Sequence, residues 1–118
     1  MPYVDGFVVA VPSAKKAEYL EMAKLGAEVF KDHGALSVME CWGDDVPDGK
    51  VTSFPMAVKC EKDETVVFSW IVWPDRAARD AGMKASMEDE RFASMGPDAM
   101  PFDGQRMIFG GFEVIVEG

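Results

Sequence analysis

Apolar positions recur along this chain with two periods, and the switches between them mark its elements. From Tyr3 to Val11 the alternation has period two, with Tyr3, Phe7, Val9 and Val11 on one face and Val4, Gly6, Val8 and Ala10 on the other. Both faces are apolar apart from Asp5, which predicts a strand buried on both sides. Pro12 ends it, and Ser13 stands where a helix cap is expected. A helical stripe of Tyr19, Leu20, Ala23, Gly26, Ala27 and Phe30 then runs to about His33, with Lys and Glu over most of the remaining surface. Gly34 suits the left-handed position that stops a helix.

Alternation returns from Ala35 to Trp42, with Leu36, Val38, Glu40 and Trp42 sharing a face opposite Ser37, Met39 and Cys41. Turns follow at Gly43-Asp44-Asp45 and Pro47-Asp48-Gly49. Residues 53–60 read two ways: Ser53 before Phe54-Pro55 suits a short capped helix, which is the preferred reading, while Met56, Val58 and Cys60 also suit a strand. After a charged turn over Glu61–Glu64, Thr65–Trp73 is the strongest strand, β-branched and aromatic on both faces. Pro74 breaks it, and Asp75 caps a helix predicted to reach about Asp89. Its expected inward face is small and flexible: Ala78, Ala81, Gly82, Ala85, with Met83 and Met87. Arg91–Gln105, punctuated by Gly96-Pro97, Met100-Pro101 and Asp103-Gly104, reads as loop. Arg106–Val116 is the last strand, and Gly110-Gly111 marks a bulge or a close backbone approach.

The order β-α-β, long connection, β-α-β predicts a single α+β domain over residues 1–118: a ferredoxin-like βαββαβ antiparallel sheet with two helices on one face. The first and third strands, apolar on both sides, belong at its centre. Two helices cover only one face, so a second copy of the chain is the expected cover for the other. Trp70 and Trp73 differ in parity and point to opposite faces.

Composition narrows the partners. Twelve Lys+Arg against 21 Asp+Glu give a formal charge of −9 in 118 residues, a field that repels nucleic-acid phosphates and anionic membranes. Cys41 and Cys60 form no CxxC pair and read as reduced thiols. No apolar run approaches the ~20 residues of a membrane helix, and no basic-then-apolar leader opens the sequence. The expected location is the cytoplasm.

Several side chains carry candidate chemistry. Glu40 lies among apolar neighbours, an unusual place for an unpaired carboxylate. Arg106, at the start of the last strand, is the expected counter-charge, within the dimer and from either copy; the pair reads either as a structural ion pair or as an acid/base group. His33 reads as a helix-end cation or as a general base. Trp42 and Trp70 read as core aromatics or as walls for a planar ligand. Asp44 and Asp45, with Asp48, read as a solvated turn or as part of a ligand site. With one His, a metal is not expected. No phosphate loop or nucleophile elbow points to a cofactor.

The segments YVDGFVV, HGAL, ECWGDDVPDGKVTSFPMAVK, ETVVFSWIVWP, RAARDAG and MPFDGQRMIFGGFE resemble the YbaA-like family of small bacterial proteins, a domain of unknown function. The resemblance runs over nearly the whole chain. It implies a homodimeric α+β barrel in which two ferredoxin-like sheets face each other, and it brings no established reaction, substrate or cofactor. The wider superfamily holds cofactor-free monooxygenases, isomerases and haem enzymes, so fold analogy selects no chemistry. The function expected is a small-molecule enzyme with Glu40 as acid/base in an apolar cleft, or a non-catalytic small-ligand-binding or stress-related accessory protein.

Overall fold

A computed structural model describes residues 1–95 and 100–118. Four strands, β1 (Tyr3–Pro12), β2 (Ser37–Trp42), β3 (Glu64–Trp73) and β4 (Ile108–Glu113), form one sheet in the order β2-β3-β1-β4. Each adjacent pair is antiparallel. The two strands with apolar residues on both faces are therefore the central ones, as their alternation predicts.

Helices α1 (Lys16–Asp32) and α3 (Arg76–Met87) are the long ones, and α2 (Phe54–Ala57) and α4 (Glu90–Ala93) are single turns. Ser53 caps α2, its hydroxyl accepting from the Met56 amide at 3.1 Å, which decides the ambiguous 53–60 segment in favour of the helix. Asp75 caps α3 through the Ala78 amide at 2.7 Å. Gly34 has φ +109°, the left-handed geometry expected where α1 stops. Ser13 is not a cap. It opens a 3₁₀ turn and bonds the Thr65 hydroxyl on β3 at 2.6 Å.

Sheet register settles the two faces. Tyr3, Asp5, Phe7, Val9 and Val11 share the helix side with Val67, Ser69, Ile71 and Trp73. There Val9, Val11 and Val67 pack with Tyr19 and Ala23 of α1, while Tyr3, Ile71 and Trp73 gather Ala35, Phe30 and Met83. On the opposite side, Val8, Ala10 and Val66 meet Val58, just after α2, which covers one end of that face. Phe54 of α2 reaches Phe68 on this face, 5.7 Å between ring centroids, and beyond that no other described helix packs on it.

The close approach predicted for small residues occurs at Gly82, where a Cβ would lie 2.3 Å from the Trp73 ring and 2.5 Å from the His33 carbonyl oxygen. Ala81 and Met87, read as inward, are exposed; Ser86 is buried instead. Asp89 does not end α3 but caps α4, so the stretch read as loop contains a helical turn, with a 3₁₀ turn at Gly104–Arg106. The expected turn at Gly96-Pro97 lies outside the described residues. β4 is shorter than the predicted Arg106–Val116. At Gly111 the expected close approach is present: a Cβ would meet the Tyr3 hydroxyl at 2.5 Å.

Candidate functional site

Glu40 lies on the helix side of edge strand β2, opposite Ser69 of β3. Tyr19 donates to its Oε1 at 2.6 Å. α1 brings the phenol here because Tyr19 belongs to its buried stripe, packed against Val9, Val11 and Val67. The Trp42 ring lies 6.5 Å from that of Tyr19, and the Phe102 ring lies 5.9 Å from it. Lys16 sits 5.2 Å over the Trp42 ring. The result is a carboxyl held by a neutral donor whose ring packs among aromatic side chains.

Desolvation raises the Glu40 pKa above its usual 4.5, with Tyr19 and Ser69 opposing by hydrogen bonding. Burial, and secondly the bond to Glu40, raise the Tyr19 phenol as well. Glu40 as a whole residue is exposed along the β2 edge while its bond to Tyr19 is part-buried. Solvent on the open side moderates the shift. A carboxyl with a raised pKa keeps a proton available nearer neutrality, which suits acid/base work.

The counter-charge expected for Glu40 is elsewhere. Arg106 forms a two-pronged pair with Glu64, both bonds at 2.7 Å, and also reaches the Lys59 carbonyl oxygen at 2.8 Å and Asp103 at 3.1 Å. Hydrogen bonding from Arg106 holds the Glu64 carboxyl below its ordinary range. Glu64 is five residues along β3 from the Ser69 position, roughly 17 Å from Glu40 at strand rise. Arg106 is thus committed within its own chain.

His33 is equally remote, at the far end of α1, fourteen residues or about 21 Å of helix from Tyr19. It stands at the C-terminal cap of α1, where its backbone N–H meets the last carbonyls while its ring turns to a side chain rather than to those carbonyls. Its ring bonds Asp89 at 2.8 Å, and Arg91 bridges Asp89 and Asp32. Hydrogen bonds from Arg91, then from His33, hold Asp89 well below the usual carboxylate range. This network ties α4 to the end of α1, and Glu40 and His33 do not form one site.

Trp42 and Trp70 are also separated, because Trp70 faces the uncovered side. There it packs on Phe68 at 5.4 Å between ring centroids and, with Val4, Gly6, Val72 and Phe112, lines an apolar trough of about 520 Å³. Asp44 lines a different cleft, about 360 Å³, with Asp48, Cys60 and Lys62. Asp45 does not line it. Among the described residues no three His, Cys, Asp or Glu side chains converge on a point a metal would occupy.

Sequence reasoning missed one constellation. Asp5, only 3 % exposed, accepts from the Trp73 indole at 3.0 Å and from Arg79 Nε and Nη2 at 2.9–3.1 Å. The Arg79 guanidinium lies 5.2 Å over the Tyr3 ring. The available signal was the single acid on an otherwise apolar central strand.

These residues define an antiparallel α+β protein with a carboxyl set beside an aromatic cluster on the helix side of its sheet. Residues 2–104 match the family described as "Protein of unknown function (DUF1428)". The chain is 58% identical over 117 residues, 99% of both chains, to "Uncharacterized protein YbaA" of Escherichia coli K12, with the same identity and coverage for the protein of that name in Shigella flexneri. The chain belongs to the DUF1428, YbaA-like family. No helix among the described residues is long and apolar enough to cross a membrane.

Proposed function

We propose that the chain is a cytoplasmic homodimer that binds a small, largely apolar molecule against Glu40 and uses that carboxyl as an acid/base group. The observation that carries this reading is the Tyr19–Glu40 bond: a carboxyl of raised pKa, held by a neutral phenol packed with Trp42 and Phe102. Because no cation among the described residues pairs with it, the carboxyl can accept a hydrogen bond from a hydroxyl, an amine or an acidic C–H of a ligand. Binding without turnover is the second reading, favoured by the commitment of His33 to Asp89. The charge of −9 argues against nucleic acid as the ligand.

The dimer rests on the uncovered sheet face. The strand order β2-β3-β1-β4 supports a ferredoxin-like sheet, and its open side presents Met39 at 51 %, Phe68 at 42 %, Ile108 at 44 % and Phe112 at 60 % exposure. Strands of six to ten residues, spaced ~4.8 Å apart, give a flat footprint on the order of 500 Å². Side-chain relief brings that toward the ~800 Å² per partner of a standard interface. Two such faces stacked would form a barrel around the Trp70 trough.

Native mass spectrometry of the purified chain is the test. The expected species is a dimer carrying a copurified small molecule that the Glu40→Gln chain loses while remaining folded and dimeric. Turnover of that molecule by the unsubstituted chain alone would establish the enzyme; retention by both chains would refute the Glu40 site.

A further inference from the structure

Residues 101–107, which lead into β4, are held in an unusual way. Their backbone hydrogen bonds are internal: the Arg106 N–H meets the Asp103 carbonyl oxygen at 3.2 Å, and the Met107 N–H meets that of Gly104 at 3.3 Å. Among the described residues, no backbone bond joins this strap to a helix or to another strand. Side chains hold it instead. Phe102 and Met107, both half-buried, pack on the cluster of Val9, Val11, Tyr19 and Val67, and the Phe102 ring lies 5.9 Å from that of Tyr19. Arg106, between them in sequence, reaches the Lys59 carbonyl oxygen past α2 and both Glu64 oxygens at the start of β3, at 2.7–2.8 Å. The fork is sheltered, with the Glu64 side chain 5 % and that of Arg106 20 % exposed. Two-pronged guanidinium–carboxylate contacts fix geometry as well as contributing energy.

We propose that Arg106 is a positioning residue for the Glu40 site: its fork with Glu64 latches the strap so that Phe102 stays on Tyr19 and the phenol stays on Glu40. The proposal rests on the reading of Glu40 above and adds how that site opens. Tyr19 is only 7 % exposed, and Phe102 helps to bury it. With the fork released, what holds the strap is apolar contact, which is non-directional. Phe102 can then lift and uncover the phenol. A ligand reaches the Tyr19 hydroxyl, and the carboxyl it bonds, without disturbing α1 or the sheet. Segments with few backbone bonds to their surroundings open at the least cost, so the strap moves while α1, held by its own ladder, stays. Arg106, cast by the rule that a buried acid needs a cation as the counter-charge of Glu40, thus acts on it through Phe102 and Tyr19.

The test reads Tyr19 directly. Labelling with fluorotyrosine gives two fluorine resonances, because the chain has two tyrosines, and Tyr19→Phe assigns them. Arg106→Ala alone strands the Glu64 carboxylate and risks unfolding. The working variant is therefore Glu64→Gln with Arg106→Gln, which removes the fork and leaves no charge behind. Its Tyr19 resonance is expected to move at least halfway to the unfolded-chain position while that of Tyr3 stays. Amide exchange over residues 102–107 is expected to speed at least tenfold relative to α1 and β1. Phe102→Ala, with the fork intact, should move the Tyr19 resonance as well. Arg106→Lys, which keeps the charge and loses the fork, should fall between the parent and the double variant. A Tyr19 resonance that stays in place in the double variant overturns the latch, and one that stays in place in Phe102→Ala overturns the role of Phe102. Retention of the copurified molecule by Glu40→Gln refutes the ligand site without moving either resonance, so the two readings fail separately.

Discussion

Asp5 and Glu40 are two acids on the same side of one sheet, two strands apart, and the molecule treats them in opposite ways. Asp5 sits on central strand β1, and all its nearby donors are strong: the bidentate Arg79 fork and the Trp73 indole. Glu40 sits on edge strand β2 with a phenol as its donor at 2.6 Å. A central position between two neighbouring strands removes water from both flanks, and the helix layer covers this face, so a carboxylate there must be neutralised by a cation. An edge position leaves solvent on one flank, so a neutral donor suffices and the proton remains exchangeable. The comparison separates a carboxylate that anchors α3 to the sheet from one left open to solvent on one flank, although both interrupt an apolar stripe.

The sharpest way to break the comparison is Asp5→Asn. It removes the buried counter-charge of Arg79 beside Tyr3 and leaves only the exposed Asp80 carboxylate, 2.9 Å from Nη1, to pair with it. The expected loss is about 3 kcal/mol of unfolding free energy in urea, the low end for a broken buried pair because Arg79 is itself 24 % exposed. A loss under ~1 kcal/mol would mean that Asp5 is not structural.

Gly82→Ala comes next. It keeps every charge and disturbs how α3 rests on Trp73 and on the His33 carbonyl oxygen at the end of α1. The new Cβ would fall 2.3 Å from the ring that also supplies the indole to Asp5. Overpacking of this kind costs ~2 kcal/mol, partly offset by the ~1 kcal/mol by which Ala favours helix over Gly. Thermal unfolding should therefore show a small net loss, with Glu40-dependent ligand binding unchanged.

Most of the architecture was legible because its signals are local. Two-sided apolar strands named the centre of the sheet, and Ser53, Asp75 and Gly34 marked helix ends within a few residues of themselves. Failures came where a partner lies far along the chain. Asp5 was visible as an exception in its stripe, but Arg79, 74 residues on, was not identifiable as its answer. Glu40 was correctly placed on its face, yet the acid-needs-cation rule selected Arg106, which Glu64 and Asp103 hold. The rule assumed burial, and an edge strand relaxes it. Asp89 looked like the end of α3 because an acid that caps the next turn has the same local sequence as one that ends the last.

The smallest expected effect is the most specific, the pH dependence that Glu40 contributes. Desolvation raises its folded pKa above the ordinary 4.5. Below 4.5 both folded and unfolded chains hold the proton, and the full stability is present. As pH rises, the unfolded chain releases its proton first, so stability falls until the folded carboxyl also ionises, and then levels off. Glu64 and Asp89, whose pKa values are lowered, act in the other direction, losing their contribution as pH falls. The two kinds of group overlap in one profile, so the informative quantity is the difference between the parent chain and Glu40→Gln. Glutamine still accepts from Tyr19 but has no proton to lose. Its stability relative to the parent should therefore rise with pH from about 4.5, by less than ~1 kcal/mol in total because the edge is partly solvated. Urea midpoints at a series of pH values read this directly. A difference that is flat across the window, or that falls with pH, would place Glu40 with Asp5 among the structural acids.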